Sequence, residues 1–308
     1  MPPYAFFQKK YMPLSQAKVG VLTAALHYGT ACFEGIRGNW NEQKKQMYLY
    51  RVPEHCKRLL DGCKLLMIKL PYSIKEMSEI IRETVERSGL KQDVYVRPLA
   101  YKSEHRIGVR IHDVSDDFLV VATTLPPYLD SDSGCKVCTS SWRRVDDTMI
   151  PARGKITGIY VNSALAKSEA ILNGYDEAVM LGSDGHVCEG SGENIFLVMN
   201  GKLYTPPSSD NILMGITRDS VMTIARNELG IETVERQIDR SELYLADECF
   251  FTGTAAHVTP IISVDHRPVG NGKIGQITSK LQKLYFDIIQ GKNPKYIKWC
   301  LPVYPGKS

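Results

Sequence analysis

The stretch LPPYLDSDSG, residues 125–134, constrains this fold more than any other feature of the chain. Two prolines followed by Asp, Ser and Gly end every regular pattern around them. A chain of 308 residues is longer than one average core requires. The break therefore reads as an interdomain linker between residues 1–124 and residues 135–308.

The two sides carry different patterns. Before the linker, a strand near residues 47–51 leads to Pro53, which opens a helix with Cys56, Leu59, Leu60, Cys63 and Leu66 along one apolar stripe. Ser73 and Glu76 make a capping box for a second helix whose Ile74, Met77, Ile80, Ile81 and Val85 face inward. Residues 94–101 and 118–124 are rich in β-branched side chains and read as strands. These elements predict a two-layer α+β unit. Beyond the linker come a strand at 136–141, a helix at 159–172 stopped by Gly174, and hairpins over 178–204 with turns at Ser183-Asp184-Gly185 and Asn200-Gly201. A helix over 217–229 ends at Gly230, and a last long helix starts near Lys273. The second half is mixed and strand-rich.

Composition narrows the function by exclusion. Hydrophobic residues at 43% and charged residues at 23% leave no long stretch too polar to fold. The net charge of +4 is spread among Asp and Glu rather than gathered in blocks, which argues against a nucleic-acid partner. No apolar run reaches the roughly 18 residues of a membrane span, and MPPYAFFQKK lacks a signal-like apolar core, so the expected location is cytoplasmic. Eight cysteines have no disulfide-scaffold spacing. Cys135 and Cys138 sit three apart on a strand, so they face opposite sides, and no second Cys/His pair completes a zinc site. No metal is expected.

Chemistry concentrates in four Gly-containing segments: HYGTACFEGIR (27–37), IPARGKITG (150–158), CEGSGENIF (188–196) and LMGITRD (213–219). Glycines beside ionisable residues bring backbone close to a ligand. RGKITG is not a nucleotide P-loop, because Met149 stands where its first glycine belongs and Ile156 follows Lys155. At LMGITRD, Thr217 is the expected N-cap, and Gly215 lets the amides of Ile216 and Thr217 meet a phosphate favoured by the helix dipole. Arg51, between a strand and Pro53, adds a candidate bidentate grip on that phosphate.

Taken in order, HYGTACFEGIR, YVRPL, SSWRR, IPARGKITGIYVNS, EGSGENIF, GITRDS, SELYLADE and FTGTAAHVTP resemble the branched-chain aminotransferases, within the fold type IV enzymes that use pyridoxal 5′-phosphate (PLP). The likeness runs over nearly the whole chain. It implies a mixed α/β (α+β) fold with a small two-layer N-terminal domain and a larger strand-rich pseudo-barrel domain that binds the cofactor. It further implies that Lys155 forms the Schiff base and shuttles the proton, a role suited to a buried primary amine. Glu189 matches the carboxylate at the pyridine nitrogen, and Tyr160 the tyrosine at the ring oxygen. Arg51, Gly215, Ile216, Thr217 and Thr254 match the phosphate cradle. The turn Thr254, Ala255, Ala256 matches the amides that bind the substrate's α-carboxylate. Tyr28, Phe33, Arg37, Tyr95, Ile107, Val109 and Tyr128 match the side-chain pocket, with Arg97 as the handle for the distal carboxylate of glutamate.

The implied activity is ping-pong transfer of the amino group of L-leucine, L-isoleucine or L-valine to 2-oxoglutarate, by a homodimer or a larger homo-oligomer, with amino acids and 2-oxo acids as the only partners. Close alternatives on the same fold are a D-amino acid or (R)-amine transaminase and an aminodeoxychorismate lyase; a regulatory relative without turnover is a third class. A tryptophan carried by some members at the linker is here Leu125, so the preference among Leu, Ile, Val and aromatic substrates stays open. Which of Arg106 and Arg110 points into the pocket is open too.

Overall fold

The computed structural model describes residues 3–126 and 129–304. The chain clusters into two compact units, one made of residues up to 126 with 154–158 and 287 onward, the other of residues 127–153 and 159–286.

In the first unit the strands are β1 (Tyr4–Phe7), β2 (Lys10–Pro13), β3 (Ala31–Phe33), β4 (Ile36–Asn41), β5 (Gln46–Tyr50), β6 (Val94–Lys102) and β7 (Asp116–Thr123), with helices α1 (Ala24–Tyr28), α2 (Val52–Leu65) and α3 (Ile74–Ser88). The capping box is present: Ser73 Oγ accepts from the Glu76 amide at 3.2 Å while the Ser73 amide donates to the Glu76 carboxylate at 2.7 Å. Met77, Ile81 and Val85 then lie on one buried stripe of α3, with Thr84. Each such apolar side chain contributes about 1.5–3 kcal/mol by leaving water. The strand period of two sets the site. Along β6, Val94, Val96, Pro98 and Ala100 are buried on one face, which leaves Tyr95 and Arg97 on the other. Arg37 on β4 pairs in register with Tyr95 and joins that face.

Residues 154–158 pack with this unit because their backbone is tied to residues 29–33. The Phe33 amide donates to the Lys155 carbonyl at 3.0 Å, the Gly158 amide to the Gly29 carbonyl at 3.2 Å, and Ile156 forms a bridge with Cys32. Gly29 caps α1 at φ 63°, and a Cβ there would lie 2.8 Å from the Gly158 Cα. Gly29→Ala is expected to lower the unfolding free energy by about 2–4 kcal/mol, from the left-handed backbone plus a clash with main chain that has no rotamer to move. Urea titration of the two proteins reads this directly.

The second unit contains β8 (Cys135–Thr139), α4 (Tyr160–Leu172), β9 (Glu177–Leu181), β10 (Val187–Gly190), β11 (Asn194–Met199), β12 (Lys202–Thr205), α5 (Ile216–Leu229), β13 (Thr233–Glu235), α6 (Glu242–Leu245), β14 (Glu248–Gly253), β15 (His257–Val264), β16 (Arg267–Pro268) and most of α7 (Gln276–Ile289). Its strands run in the order β10-β9-β8-β15-β14-β11-β12-β13, with β16 on β15. The pairs β8–β9, β8–β15 and β12–β13 are parallel and the others antiparallel. The sheet curls about one core that takes Val137, Val179, Val187, Ile195, Phe251 and Ile261 from six different strands. Cys135 belongs to that core and Cys138 to a separate cluster with Ala166 and Ala170 of α4, as opposite strand faces require.

The final strand, β17 (Cys300–Pro302), pairs antiparallel with β5 and completes the first unit's sheet, β17-β5-β4-β6-β7-β1-β2 with β3 on β6. Residues 287–304 therefore do not cluster with the rest of the C-terminal half, where the linker position alone would put them. Two element ends also differ. Gly215, not Thr217, is the N-cap of α5, with Thr217 inside its first turn, and α7 starts at Gln276 rather than near Lys273.

Candidate active site

Lys155 leaves the tied segment with its side chain over Phe33. The amine stands 5.0 Å from the ring centroid, and the Arg97 guanidinium lies 4.3 Å from the same ring. A buried aromatic face attracts both cations without bonding to either. Arg97 Nη2 donates to the Tyr95 hydroxyl at 2.8 Å, and its Nε is buried with no hydrogen-bond partner among the described residues. The same holds for Nε and Nη1 of Arg37. Buried donors of this kind normally find a partner, so two guanidinium groups beside one tyrosine form a place for an anion. Gly35 permits the arrangement, because a Cβ there would sit 2.1 Å from the Tyr95 hydroxyl.

Arg51 is held with equal care. Its backbone is left-handed (φ 49°, ψ 42°), its amide donates to the Trp299 carbonyl at 2.7 Å, and its guanidinium lies 4.9 Å over the Trp299 ring. Its Nε donates to Glu54 at 2.9 Å. A non-glycine residue costs on the order of 1–3 kcal/mol in this conformation, which persists where surrounding contacts impose it. The Tyr28 hydroxyl accepts from the Gly108 amide at 2.8 Å and so anchors the loop that carries Ile107 and Val109. Those two are 64% and 78% exposed.

In the second unit a bulge between Val187 and Glu189 turns the Glu189 carboxylate inward, 7% exposed. Arg144 pairs with one oxygen at 3.0 Å; the Leu213 amide and Asn194 Nδ2 donate to the other at 3.0 and 3.2 Å. Asn194 also donates to the Leu213 carbonyl at 2.8 Å, and Arg144 Nε to the Asn211 carbonyl at 3.1 Å. Gly215 follows, and a Cβ there would fall 2.0 Å from Asn194 Oδ1. The residue that orients Glu189 thus also demands glycine at the start of α5, where Ile216 and Thr217 present the first-turn amides. Thr254, Ala255 and Ala256 form the three-residue turn between β14 and β15, closed by His257 at φ 57°. Tyr160 is the first residue of α4 and is half-buried. Tyr128 lies outside the described residues.

Arg144 and Asn194 were not singled out from sequence, although both stand in quoted motifs, SSWRR and EGSGENIF. Asn194 reaches Glu189 within its own motif, whereas no local spacing ties Arg144 to a carboxylate on a distant strand. Glu193 stands in the same motif as Asn194, where nothing local marks its carboxyl as buried. It is 4% exposed, and burial, followed by the nearby Glu177 carboxylate, pushes its carboxyl up to about 8, against the Gly192 amide that donates to it at 3.1 Å. Because the folded value lies above the unfolded one, its contribution is present below about pH 4.5 and is lost as pH rises towards 8. Glu193→Gln is expected to remove that slope and to be more stable than the parent by about 3–5 kcal/mol at pH 9 relative to about pH 4.5. Denaturant titrations of both proteins at the two pH values measure it.

The family profile described as Amino-transferase class IV matches residues 31–264. The chain is 48% identical over 301 residues to a protein of Aquifex aeolicus (strain VF5) named "Probable branched-chain-amino-acid aminotransferase", covering 98% of this chain and 97% of that one. Among solved structures it superposes on the branched-chain aminotransferase of the archaeon Thermoproteus uzoniensis with norvaline at TM-score 0.93 and 44% identity, covering 98% and 99% of the two chains. It also superposes on the branched-chain amino acid aminotransferase from Thermobaculum terrenum in its PLP holo-form, at TM-score 0.94 and 36% identity over 99% of both. The chain belongs to the class IV amino-transferase family. It is an enzyme, and its reaction is transamination.

Proposed function

We propose that this enzyme transfers the amino group of L-leucine, L-isoleucine or L-valine to 2-oxoglutarate in a ping-pong cycle, with PLP carried on Lys155. The observation that supports it most is the Phe33, Tyr95 and Arg97 group: an aromatic wall with a guanidinium whose buried Nε has no partner among the described residues. Such a pocket accepts an aliphatic side chain against the ring in one half-reaction and a distal carboxylate on the guanidinium in the other. Full-length likeness to enzymes named for branched-chain amino acids supports the substrate class.

The donor set fits the cofactor. A buried carboxylate ringed by donors suits a protonated ring nitrogen, and a helix N-terminus behind an obligatory glycine suits a phosphate. When bound, PLP supplies an aldehyde and an electron-accepting ring. Lys155 then carries the group and moves the proton at the substrate Cα. Glu189 holds a proton at the ring nitrogen, and Arg51, Ile216, Thr217 and Thr254 hold the phosphate beside Tyr160 at the ring. The amides of residues 254–256 bind the α-carboxylate. The same reading makes the working form a homodimer in the cytoplasm. Support comes from the exposed aliphatic side chains of Val19, Val21, Leu22 and Leu26, close together in sequence on the first unit. Among the described residues no helix is long and apolar enough to cross a membrane.

Steady-state assays with L-leucine and with D-alanine, each with 2-oxoglutarate, test the substrate class. Turnover of L-leucine is expected; turnover of D-alanine alone would reverse the assignment.

A further inference from the structure

Glu34, His55 and Arg58 form a charged cluster inside the first unit to which none of these roles applies. Glu34 is the residue after Phe33, and its side chain is 1% exposed. One carboxylate oxygen accepts from Arg58 Nε at 2.7 Å; the other accepts from Arg58 Nη2 at 2.8 Å and from His55 Nδ1 at 2.6 Å. Burial works to raise the Glu34 carboxyl, but Arg58 and His55 together hold it down at about 2. It is therefore ionised and has no proton to give, so His55 carries its proton on Nδ1. Burial, the foremost influence, and the charges of Arg58 and Lys155 lower the His55 ring, against the pull of Glu34. The cluster holds one cation, one anion and a neutral imidazole.

A buried ion pair is a costly way to stabilise a fold, since apolar side chains of the same volume serve as well or better. Its placement points to another use. The main chain on either side of Phe33 is gripped at two successive amides: that of Phe33 donates to the Lys155 carbonyl at 3.0 Å and that of Glu34 to the Pro98 carbonyl at 2.8 Å. The Phe33 ring carries the Lys155 amine and the Arg97 guanidinium. A rotation of the main chain at Glu34 would displace the ring against which both cations rest. At the other end, the His55 amide donates to the Arg51 carbonyl at 3.2 Å, which ties the cluster to the first turn of α2.

We propose that Glu34, His55 and Arg58 are positioning residues for transamination, fixing the Phe33 ring and through it the Lys155 amine and the Arg97 guanidinium in their working geometry. The inference rests on Lys155 being the residue that carries the cofactor. Three variants separate the cases. His55→Leu fills the volume without a donor, His55→Asn puts an amide N–H where Nδ1 stands, and His55→Gln carries its amide one methylene too far. Kinetics on the holoenzyme are paired with the rate at which trinitrobenzenesulfonate labels Lys155 in cofactor-free protein, followed by peptide mass analysis. His55→Leu and His55→Gln are expected to lower kcat about 30- to 100-fold with KM for L-leucine changed less than about threefold. Their Lys155 labelling rate shifts about fivefold or more, and His55→Asn recovers both quantities to within about threefold of the parent.

If His55→Leu does not fold, the Asn and Gln variants carry the comparison. Parental kcat and labelling in His55→Gln would overturn the proposal, as would equal losses in the Asn and Gln variants, which would mark a role in folding alone. Borohydride reduction of the parent enzyme keeps the two readings apart. Should it fix the cofactor elsewhere than residue 155, the assigned chemistry fails, while labelling of the cofactor-free protein still reports whether the cluster governs that amine.

Discussion

On the proposed assignment, Lys155→Ala protein will fold and will have lost transamination of L-leucine by about 10⁴-fold or more, the scale expected when a group that moves the proton at the reacting carbon is deleted. Folding survives because what ties this segment is main chain. The Lys155 carbonyl still accepts from Phe33, and Ile156 still bridges Cys32. The approach of the side chain to the Phe33 ring contributes about 0.5–2 kcal/mol. Two measurements check the expectation together: single-turnover rates with L-leucine, and borohydride reduction followed by peptide mass analysis, which should modify the 155 peptide in the parent and leave it unmodified in the variant. Retained turnover in the alanine protein would remove the chemical basis of the assigned function.

Glu189 should separate chemistry from stability through two substitutions. Glu189→Gln keeps one acceptor oxygen, enough for Arg144 or for the Leu213 amide and Asn194 but not for both sides, so the midpoint is expected to fall, though less than when both oxygens are removed. The variant loses the negative charge, and kcat is expected to fall about 10²- to 10³-fold, the cost of removing one preorganised electrostatic contact at the reacting system. Glu189→Ala adds a second penalty. Arg144, whose side chain is 4% exposed, and the donors of Leu213 and Asn194 would then find no acceptor at all at residue 189, at about 3–5 kcal/mol of stability in total. The check is kcat beside the urea midpoint for both variants. An alanine protein as stable as the glutamine protein would show that the Arg144 pair is not the contact it is taken to be.

Much of the architecture could be read directly from local chemistry. The Ser73–Glu76 capping box, the α3 stripe, the Asn200-Gly201 turn and the αL glycine after α5 are dictated by residues a few positions apart, and all stand where those residues place them. The start of α5 shows where local chemistry stops. A side-chain cap points to Thr217, yet Gly215 takes the N-cap for a non-local reason, the Asn194 side chain that fills the space a Cβ would need.

The chain's local pattern alone determined where most of its helices and strands lie, that Lys155 and Glu189 stand in glycine-rich segments, and that Tyr95 and Arg97 share one face of a sheet, since a strand's alternation is built into each residue's bond geometry. Tertiary structure alone decided that residues 154–158 run along residues 29–33, that β17 joins β5, that Arg144 is the partner of Glu189, and that Glu34, His55 and Arg58 close into one cluster. The reason is the range of the forces. Backbone conformation answers to neighbours within a turn, whereas a buried charge must find its counter-charge wherever packing brings one, and no spacing along the chain encodes that distance.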